Sequence, residues 1–568
     1  MKIHQIPGLL AAILLVACGP NSQSESTTSE QDAVSSPNPP PNILLIVADD
    51  LGYSDIAPFG GEIETPHLSA LAEQGIRFSR FYTASACAPT RSMLLTGVDN
   101  HQAGIGAMSP APNQKGKPGY EDVLNQRVAA LPNLLRDAGY HTYMTGKWHL
   151  GHEDSQRPAA RGFDNSFALM QGGASHFSDA TGPFGMGKSD YYEQDQRVES
   201  LPEGFYSSHF YTDRMLEQIE SNRQDGRPFF GYLAYTAPHF PLQAPESIID
   251  KYRGRYSEGF NKLKQRRFEA MKRIGLIPNT APISQPNPES ENWTDLSDQE
   301  QAFSMRMMEI YAAMVDDMDQ QIGRVIAYLK DTGQYKNTVI IFISDNGADP
   351  SSDRVGLEIL PRMMAKADNS PENMGRKGSL LAYGHNWAEA SMGAFKRYKA
   401  QAAEGGIRVP AIISWPAKIS TPSINHGLAG VIDIVPTALD LAMATHPGGS
   451  YKGREVIPPQ GQSLAPVLTG ERAMARDKED YIGSEHWSSR AIIQQEWKLL
   501  GLYDAETGLQ DWELYKIDED PGETLNLASE EAAKFSQMVD LWDRYVAENG
   551  VIIAQPGVPL LMRASKDG

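Results

Sequence analysis

The sequence predicts an α/β fold: a large domain built on a mostly parallel central sheet flanked by helices, then a smaller C-terminal α+β domain with an antiparallel sheet. Three observations carry this. Asn42–Ala48 (NILLIVA) and Val339–Ser344 (VIIFIS) are unbroken apolar runs, as expected of parallel strands buried on both faces. Helical patterns alternate with such runs through the first three quarters of the chain. After about Gly448, short alternating segments separated by turns take over.

In chain order, Met1-Lys2 precedes the apolar run Leu9–Val16, too short to span a bilayer and readable as a signal-peptide core. Leu15-Val16-Ala17-Cys18 resembles a bacterial lipobox, so residues 1–17 would be removed and Cys18 lipidated. The expected product is an exported lipoprotein, periplasmic or at the cell surface, held in the outer membrane. Residues 18–41 are rich in Ser, Thr, Gln and Pro and read as a disordered tether. The first strand, Asn42–Ala48, ends in Asp49-Asp50, and a helix opened by Pro66 runs toward Gly75. Leu131–Ala138 reads as a helix, Tyr140–Thr145 and Phe229–Tyr235 as strands, and residues 304–330 as a long amphipathic helix. The strand Val339–Ser344 ends in Asp345-Asn346. Two inserts interrupt a catalytic domain over 42–447: one near 245–300 with the basic helical run Lys251–Arg273, and an irregular one over 349–388. In the C-terminal domain, 448–568, strands are expected at Tyr481-Ile482, Arg490–Leu500 and Trp512–Ile517, with a helix over Glu530–Glu548.

The chain carries 51 basic and 71 acidic residues, a formal charge of −20. That disfavours nucleic acid as a partner and leaves an anionic substrate to be captured by locally placed cations. With only two cysteines, the 568-residue chain must draw its stability from burial.

Cys87-Ala88-Pro89-Thr90-Arg91 is the most pointed motif. Pro89 suits the first turn of a helix. Arg91 lies four residues beyond Cys87, so one turn brings its guanidinium back over the sulfur. The helix N-terminus would face an oxyanion at the same point. Asp49-Asp50 and Asp345-Asn346 each follow a buried strand, at the sheet edge where α/β folds gather ligands. Together they offer hard oxygen donors, suited to Ca²⁺ or Mg²⁺ rather than to zinc or copper. Lys147 and His149, two apart, would point the same way from an extended segment, toward an anionic ester. His239 follows another strand in a Pro-His-Phe-Pro loop. Lys399, or Lys396 three residues earlier, precedes Gly405-Gly406-Ile407-Arg408-Val409-Pro410.

These motifs stand in the order C-x-P-x-R…T-G, G-Y-x-T…G-K-x-H, P-H-x-P and K…GGIRVP between Asn42 and Pro416. They resemble those of the type I, formylglycine-dependent sulfatases, a bacterial arylsulfatase-like branch of the alkaline-phosphatase-like superfamily. The resemblance implies calcium-dependent hydrolysis of sulfate monoesters. A maturation enzyme would oxidise Cys87 to Cα-formylglycine, whose hydrate is the nucleophile. It further implies Asp49, Asp50, Asp345, Asn346 and position 87 as calcium ligands, and Arg91, Lys147, His149, His239 and Lys399 as the groups around the sulfate and leaving alcohol. A phosphonate or phosphodiester hydrolase of the same superfamily, and a lipoprotein that binds sulfated glycans without turnover, are the alternatives. The motifs leave open whether the ester is an aryl, alkyl or carbohydrate sulfate.

Overall fold

The computed structural model describes residues 39–182, 187–351, 355–356, 364–504, 508–555 and 563–564. The expected signal peptide, Cys18 and most of the expected tether lie outside the described residues. Residues from Pro40 onward form one compact unit. No helix among the described residues is long and apolar enough to cross a membrane.

The main sheet is built on β1 (Asn42–Ala48), β2 (Gly75–Tyr82), β3 (His141–Lys147), β4 (Asn165–Leu169), β5 (Phe229–Ala234), β6 (Thr338–Ser344) and β7 (Arg408–Ser414). They lie in the order β2-β7-β6-β1-β5-β3-β4, with short strands extending both edges to eleven. β6, β1, β5, β3 and β4 are mutually parallel, while β7 runs antiparallel to both β6 and β2. The parallel strands therefore end, and β7 begins, at one edge.

The unbroken apolar runs are explained by burial on both faces. Leu44, Ile46, Ile340 and Phe342 enter one core layer, and Ile43, Leu45, Val47, Val339, Ile341 and Ile343 enter the other. Helix α1 (Pro66–Ala72) and the long α3 (Asp298–Asp331) cover the first face. α3 opens on a capping box, Ser297 and Glu300 satisfying each other's backbone N–H groups. Helix α2 (Cys87–Thr96) covers the second face through Leu94 and Leu95.

Beyond the main sheet, β8 (Ile482–His486), β9 (Ser489–Gln494), β10 (Trp497–Gly501) and β11 (Glu513–Lys516) form a four-stranded antiparallel sheet. Helix α4 (Ala532–Asn549) packs Met538, Leu541, Trp542 and Tyr545 on Ile492, Leu499 and Leu514 of that sheet.

The α/β reading agrees with this architecture, and several boundaries move. Arg490–Leu500 is a hairpin rather than one strand, because the chain turns at Gln495 (φ 54°) between β9 and β10. The basic run Lys251–Arg273 breaks into Glu246–Lys251 and Gly259–Arg273, with Gly254 and Gly259 at positive φ between or at their ends. The insert expected to be irregular contains a helix, Gly384–Met392, anchored by the buried Trp387.

Two buried polar joints fasten the small sheet to the large one. Lys498 of β10 lies between Glu404 (2.9 Å) and Glu523 (2.8 Å), and Glu404 also accepts from Arg408 and from the Tyr82 hydroxyl. The second joint sets His101 between Asp99 (2.8 Å) and Glu485 (3.0 Å), with the Tyr545 hydroxyl donating to Asp99. Burial opposes charge on His101, but Asp99 and then Glu485 overcome it and lift its pKa to about 9. A raised folded-state value means the stabilisation is complete below the unfolded pKa of about 6.5 and is lost as pH rises through about 9. It amounts to roughly 3 kcal/mol. The wild type should therefore lose that much more stability between pH 6.5 and 9 than His101→Gln, as read from urea denaturation. Parallel pH profiles would refute the charged joint.

Candidate active site

Strand register builds the site. Ala48 of β1 pairs with Ser344 of β6, so the next residues, Asp49 and Asp345, emerge side by side. The Asp345 N–H donates to the Ala48 carbonyl, and the Asp50 N–H to the Asp345 carboxylate at 3.2 Å. Asp50 adopts φ 65°, which ends the strand and turns its side chain back into the cluster. Ligand atoms of Asp49, Asp50, Cys87 and Asp345 all lie within 4.8 Å of one another. Asn346 donates to Asp50 (2.7 Å), while its buried Oδ1 has no hydrogen-bond partner among the described residues.

Each carboxylate has a cation from a different element. Arg91 donates through Nε (2.9 Å) and Nη2 (2.7 Å) to Asp345, and through Nη1 to the Lys147 carbonyl and the Tyr232 hydroxyl. Lys147, last residue of β3, holds both oxygens of Asp49 at 2.9 and 2.7 Å. Lys399 reaches Asp50 (2.7 Å) and Asp349 (2.9 Å). Burial foremost pushes Asp49 up to about 6 and Asp50 to about 8. Burial acts on Asp345 too, but Arg91, Lys147 and Lys399 together hold it below its ordinary value. Carboxylates this crowded and this dry call for more positive charge than the three side chains bring.

Cys87 is the first residue of α2 and is 2% exposed, its Sγ 3.4 Å from Asp49 and 3.7 Å from Asp50. Burial, then Asp345, pushes the thiol well above its ordinary pKa. As a thiol it is a poor nucleophile at neutral pH.

The two histidines are neutral for one main reason, burial, reinforced by Lys147, Arg91 and Lys399 at His149 and by Lys399 and Lys147 at His239. His239 Nδ1 donates to the Phe240 carbonyl, which leaves Nε2 facing Asp50 at 3.5 Å. His149 departs from the extended geometry expected for it: β3 stops at Lys147, and His149 takes φ 59°. Its ring instead fills the space over Gly172, where a Cβ would lie 2.6 Å from Cε1.

Lys396 and Lys399 separate cleanly. Lys396 turns away toward Glu513 (3.4 Å) and Tyr515 (3.3 Å), outside the cluster. The two glycines before β7 explain the placement of Lys399. A Cβ on Gly406 would lie 1.8 Å from the Gln401 carbonyl oxygen, and one on Gly405 2.1 Å from that of Arg397. Only glycine lets the turn at Glu404–Ile407 press against residues 396–401 and fix Lys399 at the strand ends. Two participants escaped the sequence reading. Asp349 lies in an insert without periodicity, and Tyr232 was counted only as an apolar strand residue. The second follows only from the register, in which Tyr232 stands opposite Leu45 of the strand that carries Asp49.

A buried set of oxygen donors ringed by an arginine, two lysines and two neutral imidazoles defines a hydrolase site for an anionic ester. Comparison with known proteins agrees. Residues 41–444 match the sulfatase family model, and residues 394–546 match that of the N-sulphoglucosamine sulphohydrolase C-terminal region. The chain belongs to the sulfatase family and is a sulfuric ester hydrolase. An uncharacterized sulfatase of Schizosaccharomyces pombe is 43% identical over 533 residues, covering 90% of this chain and 95% of that protein. An arylsulfatase of Klebsiella aerogenes is 42% identical over 430 residues, covering 75% and 92%. Among solved structures, Ps i-CgsB in complex with k-i-k-neocarrahexaose superposes with a TM-score of 0.65 at 23% identity, over 91% of this chain and 95% of that one, a likeness of fold.

The geometry separates the lysines experimentally. Lys399→Ala should lower kcat/KM on an aryl sulfate by about a hundredfold or more, and Lys396→Ala by no more than a few-fold. Equal losses would contradict the assignment.

Proposed function

We propose that this enzyme hydrolyses sulfate monoesters in a calcium-dependent reaction whose nucleophile is a formylglycine made from Cys87 by a maturation enzyme. The observation that carries this is the placement of Cys87. It is sealed at the start of α2, against Asp49 and Asp50, beside Arg91, and as a thiol it is held protonated. Asp49, Asp50, Asp345 and the Oδ1 of Asn346, unpartnered among the described residues, would hold the calcium ion, whose preference for several hard oxygens fits this donor set. When bound, calcium polarises sulfate oxygens and offsets developing charge. Formylglycine supplies, as its hydrate, one hydroxyl to attack sulfur and a second whose deprotonation later releases sulfate; a thiol or serine has no second hydroxyl.

The chain's own residues divide the remaining work. Arg91, Lys147 and Lys399 present fixed positive charge to the sulfate oxygens in a site where water screens little. His149, neutral, is able to accept a proton from the residue-87 side. His239 and Lys399 both face the same Asp50 oxygen, and we assign both to the side of the departing alcohol. In the neutral form His239 offers Nε2 as an acceptor, so the standing proton at the leaving group is on Lys399.

The arylsulfatase relative makes aryl sulfates the first substrates to try. The chain is further proposed to be an exported lipoprotein attached at Cys18, whose palmitate labelling should vanish in Cys18→Ala.

The tryptic peptide Phe81–Arg91 tests the nucleophile directly. From the native host its mass should correspond to the aldehyde, and Cys87→Ala should hydrolyse no sulfate ester. A wholly unmodified thiol in an active preparation would overturn the reading.

A further inference from the structure

We propose that Asp349 is the positioning residue of Lys399, keeping its ammonium on the leaving-group side when Asp50 turns to the divalent cation. The inference rests on the metal-dependent reading of the site given above.

Charge counting is the first support. Asp49, Asp50 and Asp345 face Arg91, Lys147 and Lys399, three negative charges against three positive. A divalent cation adds two positive charges and a sulfate monoester removes one. Asp349 supplies the negative charge that makes the loaded site neutral. Without it, an uncompensated positive charge would stay buried, which proteins avoid.

Geometry is the second. Asp50 already serves Asn346 on Oδ1 and Lys399 on Oδ2, with His239 at 3.5 Å from Oδ2. Once an Asp50 oxygen is given to a cation, its hold on Lys399 weakens, and a like-charged neighbour pushes the ammonium away. The remaining ion-pair partner of Lys399 among the described residues is Asp349, at 2.9 Å. That carboxylate is itself fixed, its Oδ1 accepting from the Ser351 N–H at 2.7 Å. The same loop holds Lys399 a second time, the Lys399 N–H donating to the Ala348 carbonyl at 3.1 Å. Phe240, Leu242, Ala382 and Tyr383 line the cleft that Asp349 shares with Asp50, so the ion pair acts in an apolar setting.

A lysine counter-ion of purely structural value would not discriminate among leaving groups, whereas a positioning residue must. The test uses the formylglycine-bearing enzyme on a series of aryl sulfates from 4-nitrophenyl to phenyl sulfate. Calcium calorimetry runs on the same preparations after chelator treatment. For Asp349→Asn we expect kcat to fall about a hundredfold on phenyl sulfate but less than about tenfold on 4-nitrophenyl sulfate. KM should change little, and calcium should bind about tenfold more weakly, because Lys399 then competes undivided for Asp50. Asp349→Glu should recover part of both losses, and the leaving-group effect should vanish in a Lys399→Met background. A uniform loss across the series, or unaltered calcium affinity, in folded Asp349→Asn overturns the proposal. If that variant does not fold, Asp349→Ser carries the same comparison. A wild type inactive on every sulfate ester would instead count against the proposed function, and the calcium arm would still decide the role of Asp349.

Discussion

The parallel pairing of β1 with β6 is the constraint from which the site follows. With Ala48 opposite Ser344, two strands stop at the same level and leave Asp49-Asp50 and Asp345-Asn346 together at a buried edge. Three carboxylates cannot share that volume as free anions. Arg91 from α2, Lys147 from the end of β3 and Lys399 from before β7 each come from a separate part of the fold to answer one of them. The antiparallel sense of β7 matters here. It lets a residue preceding a strand meet residues that follow strands, which an all-parallel sheet would not do. The price of the arrangement is stability spent on desolvated charge, and the two apolar layers that sandwich the sheet supply it.

The same turn that places Lys399 ties the site to the C-terminal sheet. Glu404 opens the segment Glu404–Ile407, caps the ion network with Arg408 and Lys498, and lies five residues past Lys399. The small sheet is thus a structural part of the catalytic unit. Disturbing Lys498 or Glu523 is a disturbance of the ground on which Lys399 stands.

Much of this was legible in the sequence, and the reasons are physical. Strands buried on both faces announce themselves as unbroken apolar runs, so β1 and β6 and the acids that follow them were readable. CxPxR encodes a helix start and the one-turn spacing of Arg91 in five residues, and the helix begins at Cys87. β2 was not read as a strand, because Arg77 and Arg80 interrupt its apolar pattern, and β7 was read only as a motif, with Arg408 at its start and Pro410 within it. Arg77 donates to the Pro58 carbonyl, Arg80 to the Gln495 carbonyl, and Arg408 to the Ser79 carbonyl and Glu404, while Arg80 Nε has no hydrogen-bond partner among the described residues. His149 was assigned to an extended segment because two-residue spacing suggests a strand; its left-handed backbone depends on the empty side-chain position at Gly172, a tertiary fact. Asp349 was invisible for a similar reason. Nothing local marks a single aspartate in a loop, and its meaning comes from a lysine fifty residues on.

The claim beneath all of this is that the strand-end acids and Asn346 hold a divalent cation at the floor of the site. A crystal structure of the protein grown with calcium tests it most directly. The account predicts one ion bound by Asp49, Asp50, Asp345 and the Oδ1 of Asn346, next to residue 87. An acid cluster that stays metal-free at millimolar calcium, with Lys147 and Lys399 still closed on Asp49 and Asp50, would contradict it.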